Sequence, residues 1–234
     1  MAMSRLGRRR ERWPALFAAV AIVWLPGAVR AAGVPNGTYI YSVIHPILGD
    51  IGTFSNVISQ DKERVIVETR LQIAAKLWFV TVRRIEAERR EVWEGSKLAL
   101  YDSTTRKDGR LITVHGHAEG NSFVVDRPAG RIEAPASVRP SNPWSIPILS
   151  ATLIMGAETG QVFQVTFAGG AEETVMTGTR TIRARYYIAS GQRQGDIWYD
   201  ASDVPVKFSV IDEGELVTCV LESAPQPIGA GRRQ

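Results

Sequence analysis

Between residues 64 and 73 the chain alternates with a period of two. Val65, Val67, Thr69, Leu71 and Ile73 fall on one side, and Arg64, Glu68, Arg70 and Gln72 on the other. That pattern belongs to a half-buried β-strand, whose successive side chains point to opposite faces. It constrains the neighbouring chain too, because a lone strand leaves its backbone donors and acceptors unpaired. Suitable partners adjoin it. Residues 38–44 and 53–59 are rich in β-branched and aromatic side chains, and Asp61-Lys62-Glu63 supplies a turn. Residues 77–85 are apolar on both faces, and the charged run 86–91 continues them as a long strand leaving the core. Glu94-Gly95 and Lys107-Asp108-Gly109 are hairpin turns around a strand at 98–105, followed by strands at 111–117 and 122–125. Residues 127–147, with five prolines, read as loop. One helix is expected over 145–157, where Ile148, Leu149, Thr152, Leu153 and Gly156 make an apolar face. Strands then follow at 163–167, ending in a Gly169-Gly170 turn, and at 181–188, 196–200, 204–210 and 215–222. The expected fold is mainly all-β: a single large curved antiparallel sheet, or half-open β-barrel, with one covering helix. Strong curvature follows from width, since a broad open sheet exposes edges and an apolar face.

The first 31 residues have a different character. Arg5, Arg8, Arg9, Arg10 and Arg12 precede an apolar run from Trp13 to Leu25, and Val29 and Ala31 stand at small-residue positions before a cleavage point. A charged segment, an apolar core of about a dozen residues and small residues make a secretory signal peptide, and the core is too short for a span. The expected organisation is a signal peptide at 1–31, one β-rich domain at 32–224 and a disordered tail at 225–234. The protein is expected to be soluble in the periplasm, with no permanent membrane anchor after cleavage.

Export changes the charge balance. The whole chain has 28 Lys+Arg against 24 Asp+Glu; removing the six arginines and one glutamate of residues 1–31 leaves 22 against 23. The excess positive charge resides in the targeting segment, so a nucleic-acid partner is not expected. Cys219 is the single cysteine, which excludes an intramolecular disulfide and suggests a buried, inert thiol.

Catalytic constellations are sparse. His115 and His117 lie two apart on a strand and face one way, so they are candidates to share a metal, with His45, Asp102 or Glu119 as a third ligand. The plainer alternative is a pair of surface histidines. Asp196 and Asp200 are a conceivable acid/base pair, or edge groups flanking Trp198. No Gly-x-Ser-x-Gly elbow and no phosphate loop is present. The aromatics are more suggestive. Trp78, Trp93, Trp144 and Trp198, with Leu153 and Met155 of the expected helix, either fill the core or line a cavity for a hydrophobic ligand.

Three segments carry a resemblance: Arg90-Glu91-Val92-Trp93-Glu94-Gly95-Ser96-Lys97-Leu98; Ser141-Asn142-Pro143-Trp144; and Asp196-Ile197-Trp198-Tyr199-Asp200 with Val204-Pro205-Val206-Lys207. They resemble an uncharacterised family of exported bacterial β-rich proteins, over about residues 38–221. The layout is more distantly similar to the half-barrel of periplasmic lipoprotein carriers, where a curved sheet under a helical lid holds acyl chains. The family label is mute as chemistry; the compartment, the strand count, the single covering helix and the sparse catalytic constellations lead to the expectation of a non-enzymatic module that binds a lipid or acylated partner in the curved sheet, with no cofactor. The alternatives are an envelope protein-interaction module, docking by a sheet edge or the charged strand near Arg83–Glu91, and a metal-dependent enzyme using His115 and His117.

Overall fold

The computed structural model of the protein describes residues 34–77, 80–212 and 214–225, all within one unit, Ala32–Gln234. The expected signal peptide, Trp78 and nearly all of the expected tail lie outside the described residues.

Among the described residues, fifteen strands form one sheet. The first eight are β1 (Gly37–His45), β2 (Gly49–Asp61), β3 (Arg64–Leu77), β4 (Val80–Glu94), β5 (Lys97–Lys107), β6 (Arg110–Glu119), β7 (Ser122–Asp126) and β8 (Ile132–Pro135). After them come β9 (Arg139–Pro140), β10 (Leu153–Met155), β11 (Val162–Thr177), β12 (Arg180–Gly191), β13 (Gly195–Tyr199), β14 (Pro205–Asp212) and β15 (Glu215–Ser223). Each strand lies beside its neighbour in sequence, with two exceptions. β1 pairs with β15 in the centre of the sheet, and β8 and β9 are its two outer edges. Every pairing is antiparallel except β9 with β10.

The curl of the sheet follows from this order. Laid flat, fifteen strands at about 4.8 Å spacing would hold the outer edges roughly 67 Å apart. The link from Pro135 to Arg139, with three residues between, spans at most about 14 Å. The sheet must therefore bend round until β8 and β9 nearly meet, although they do not pair and the barrel stays open. Bulges at Val92/Trp93, Ala75/Lys76 and Trp198/Tyr199 add local twist of the kind such bending needs. Both edges are short, and β9 carries Pro140, which blunts them as templates for another strand.

The period-two segment forms β3, with Val67, Thr69 and Ile73 buried. The charged run does not leave the core. It is the middle of β4, paired on both sides, with Ile85, Ala87 and Glu91 buried and Arg84, Glu88 and Arg90 outside. Its outward charges are met across the sheet, as in Arg70–Glu88 at 2.8 Å. Asp108 and Gly109 both have positive φ, as the two-residue hairpin turn requires. Gly169 is not in a turn. It sits at a bulge inside β11 with φ 133°, where a Cβ would lie 2.4 Å from the Tyr186 carbonyl oxygen.

The expected helix is reduced to a five-residue 3-10 helix, Ile146–Ser150. Ala151 turns extended, and Leu153–Met155 become β10, hydrogen-bonded to β11 on one side and β9 on the other. A lone helix of a dozen residues is marginal in water, whereas two open strand edges offer partners to every backbone group. The span read as loop at 127–147 likewise contains β8 and β9.

Two main clusters fill the concave side. In one, Tyr41, Phe54 and Phe208 meet edge-on at 5.4–5.6 Å between centroids. The other packs Trp93, Leu98, Tyr101, Val114, Phe123, Val125 and Met155. Each such side chain contributes about 1.5–3 kcal/mol on burial.

Candidate functional site

The site is built where β4 presents a carboxylate to the interior. Strand parity puts Glu91 on the same face as Ile85 and Ala87, and its side chain is 1% exposed. A buried carboxylate needs donors, and three arrive. Trp93 Nε1 and Trp144 Nε1 donate to Oε2 at 2.9 and 3.0 Å, and Asn142 Nδ2 donates to Oε1 at 3.1 Å. Asn142 is held in turn by buried Asn56 of β2 and Thr69 of β3, at 3.2 and 3.1 Å, and Thr69 Oγ1 donates to Asn56 Oδ1 at 2.7 Å.

The segment from Ser141 to Ala157 is stitched to the walls along its length. The Tyr199 hydroxyl donates to the carbonyls of Pro143 and Ser145, and the segment closes on itself where Ser141 N–H donates to Met155 O and Ala157 N–H to Ser141 Oγ. Tyr101 and Ser103 of β5 both donate to the Ala157 carbonyl, at 2.8 and 2.9 Å. All three motif segments thus converge on one crossing: Glu91 and Trp93 from the first, Asn142 to Trp144 from the second, Tyr199 from the third.

Burial is the largest influence on Glu91 and pushes its pKa up to about 6, against the opposing hydrogen bonds from Trp93, Asn142 and Trp144 and the charge of Arg89. Arg139 on β9 lies over the Trp93 ring, 4.9 Å from its centroid. Burial pushes its guanidinium pKa down, and the charge of Glu91 opposes that shift. Beside Arg139, a pocket of about 400 Å³ opens at the rim, lined by Ser96, Lys97, Ser137, Arg139, Ser150 and Thr152. It gathers the β4–β5 turn, the β8–β9 link and the end of the 3-10 helix.

Comparison with known proteins gives this arrangement a family. The family model described as a domain of unknown function, DUF6134, matches residues 49–222, which include all three motif segments. The chain belongs to the DUF6134 family. No curated protein matches it. The DUF6134 chain is similar in structure to a crystal structure of a β-barrel-like protein of the domain of unknown function DUF1849 from Brucella abortus. That likeness has a TM-score of 0.59 at 9% identity and covers 79% of this chain and 94% of the other, which establishes the β-barrel-like fold alone. A DUF1089 family protein from Pseudomonas aeruginosa aligns with a TM-score of 0.35 at 11% identity, over 85% of this chain and 95% of that one.

In the DUF6134 fold the residues singled out from sequence separate into three groups. Trp93, Trp144, Leu153 and Met155 come together, but as packed core around the crossing segment, with Met155 fully buried and the two indoles edge-on at 6.2 Å. Trp198 stands apart, against the other cluster. Its ring lies beside Tyr186 and under Lys207 Nζ, and its Nε1 donates to Glu173.

His115 and His117 point outward and do not converge on a metal. His115 Nδ1 meets Asp102 at 2.8 Å, His117 Nε2 lies 3.7 Å from Glu119, and His45 is on β1 beside Glu215. Among the described residues, no three His, Cys, Asp or Glu side chains are placed to hold a metal ion. The reason is strand parity: two histidines two apart share a face, and here it is the convex one. Asp196 accepts from Tyr186 and Ser209, and Asp200 caps its own turn, so the two do not act as a pair. Cys219 is buried, which pushes its thiol pKa up to about 12.

Sequence reasoning missed Glu91, Asn142, Arg139 and Lys97. For Glu91 a signal existed, since it shares parity with Ile85 and Ala87. Arg139 and Lys97 had none, because only the curl of the sheet brings their turns together.

Proposed function

We propose that this chain is an exported, non-enzymatic binding module of the bacterial periplasm, and that it takes its ligand in the rim pocket. One observation carries the reading. The interior polar groups, Glu91, Asn142, Asn56 and Thr69, are spent on one another and on the indoles, whereas the rim pocket keeps polar groups with no such partners. Export is supported by the charged, apolar and small-residue succession of residues 1–31. An acyl chain inside the sheet would need Trp93, Trp144, Leu153 and Met155 to line a void, and they pack instead against each other and the crossing segment. A lipid or acylated protein would on this reading meet the module through its polar end.

The test is expression of the full chain in a bacterium, followed by native mass spectrometry of the protein from the periplasmic fraction. We expect processing near Ala31 and a bound mass that is lost when Thr152→Trp fills the pocket. An unprocessed cytoplasmic chain, or a bound mass retained in Thr152→Trp, overturns the reading.

A further inference from the structure

The rim pocket has a surplus of donors. Its polar lining is two cations and four hydroxyls, with no carboxylate among the lining residues. Ser150 Oγ donates to Pro147 O at 2.8 Å. Among the described residues the hydroxyls of Ser96, Ser137 and Thr152 have no partner, and neither Lys97 nor Arg139 has a carboxylate in ion-pair range. Arg139 is half-buried and steered by the Trp93 face. Arg139 feels the charge of Glu91 but makes no ion pair or side-chain hydrogen bond among the described residues, so its N–H donors are open to an anion.

We infer that the rim pocket binds a phosphate group, held by Arg139, Lys97 and the hydroxyls of Ser96, Ser137 and Thr152; this rests on the pocket being the ligand site. The planar fork of an arginine matches two phosphate oxygens at once, and a lysine adds a compact charge. The hydroxyls then reach the remaining oxygen, which a two-oxygen carboxylate lacks. A phosphate dianion balances both cations. A volume of about 400 Å³ lies at the small end of ligand sites and admits a phosphate with a body the size of glycerol or one sugar. A soluble phosphate monoester and the monoester headgroup of phosphatidic acid share this chemistry.

Calorimetric titration of the exported protein with glycerol 3-phosphate, with glycerol as the neutral control, tests the assignment. Co-sedimentation with vesicles containing phosphatidic acid, against phosphatidylcholine, tests the headgroup. We expect saturable binding of glycerol 3-phosphate, none of glycerol, and at least tenfold weakening in both Arg139→Gln and Lys97→Gln. Lys97 is exposed, so its variant tests the site without disturbing the Trp93 contact. Binding to the anionic vesicles alone, abolished by Lys97→Gln, supports the assignment with the headgroup as source. No binding of either probe, or binding unchanged in both variants, overturns it. If Thr152→Trp still expels a co-purified ligand while no phosphate probe binds, the pocket stands and the phosphate assignment falls.

Discussion

Glu91 sets the chemistry of the interior. Its carboxyl titrates near 6 in the folded chain, above its ordinary 4.5, because burial outweighs three hydrogen bonds. The folded state holds the proton more tightly, so this group's contribution to stability is fully present below 4.5 and lost as pH rises through 6. A shift of that size corresponds to about 2 kcal/mol. Urea unfolding at pH 4.5 and 7.5 is expected to show that difference in the wild type and a much smaller one in Glu91→Gln; an equal difference in both would detach the slope from Glu91. Asn142→Ala removes the donor to Oε1 and the acceptor of Asn56 Nδ2, leaving Asn56 and Thr69 only each other, and we expect it to cost about 1–3 kcal/mol of stability in the same assay. These roles were only partly legible. Trp93 and Trp144 drew notice as apolar bulk, yet their indole N–H groups matter equally here. A glutamate inside a charged run looks solvated until the strand's two faces are separated residue by residue.

Elements explain more of what sequence patterns could reveal. Alternation located β3, where Val67, Thr69, Ile73 and Ala75 are buried and Glu68, Arg70, Gln72 and Ala74 are exposed. It failed where pairing overrides local preference. Leu153–Met155 has helical spacing but finds two strand edges, and the Gly169-Gly170 pair looks like a turn but bends a strand of sixteen residues. That bulge gives a sharp comparison. Gly169→Ala drives a Cβ to within 2.4 Å of a backbone oxygen that cannot retreat, whereas at Gly170 the nearest atoms belong to the Tyr187 ring, 3.8 Å away. Both positions have positive φ, so both substitutions are strained. We expect Gly169→Ala to lower the thermal midpoint clearly more than Gly170→Ala; equal shifts would mean that conformational strain alone matters there.

At the scale of the molecule, curvature was legible from strand count and the order of the strands was not. No local pattern says that the first strand pairs with the last, yet β1 and β15 join from Ile40↔Ser223 to Ile44↔Thr218. Contacts so distant in sequence carry a large closure entropy and slow folding, toward the millisecond-to-second range of β-rich domains. A chain ending at Gly214 loses β15 and the residues after it, and we expect it to lose cooperative unfolding by circular dichroism; a sharp transition in that truncated chain would make the wings independent. The central seam also has a meaning in time. A chain that emerges N-terminus first presents β1 with one side unmatched until the last of the fifteen described strands has appeared. Until then the two halves of the molecule have nothing to be halves of.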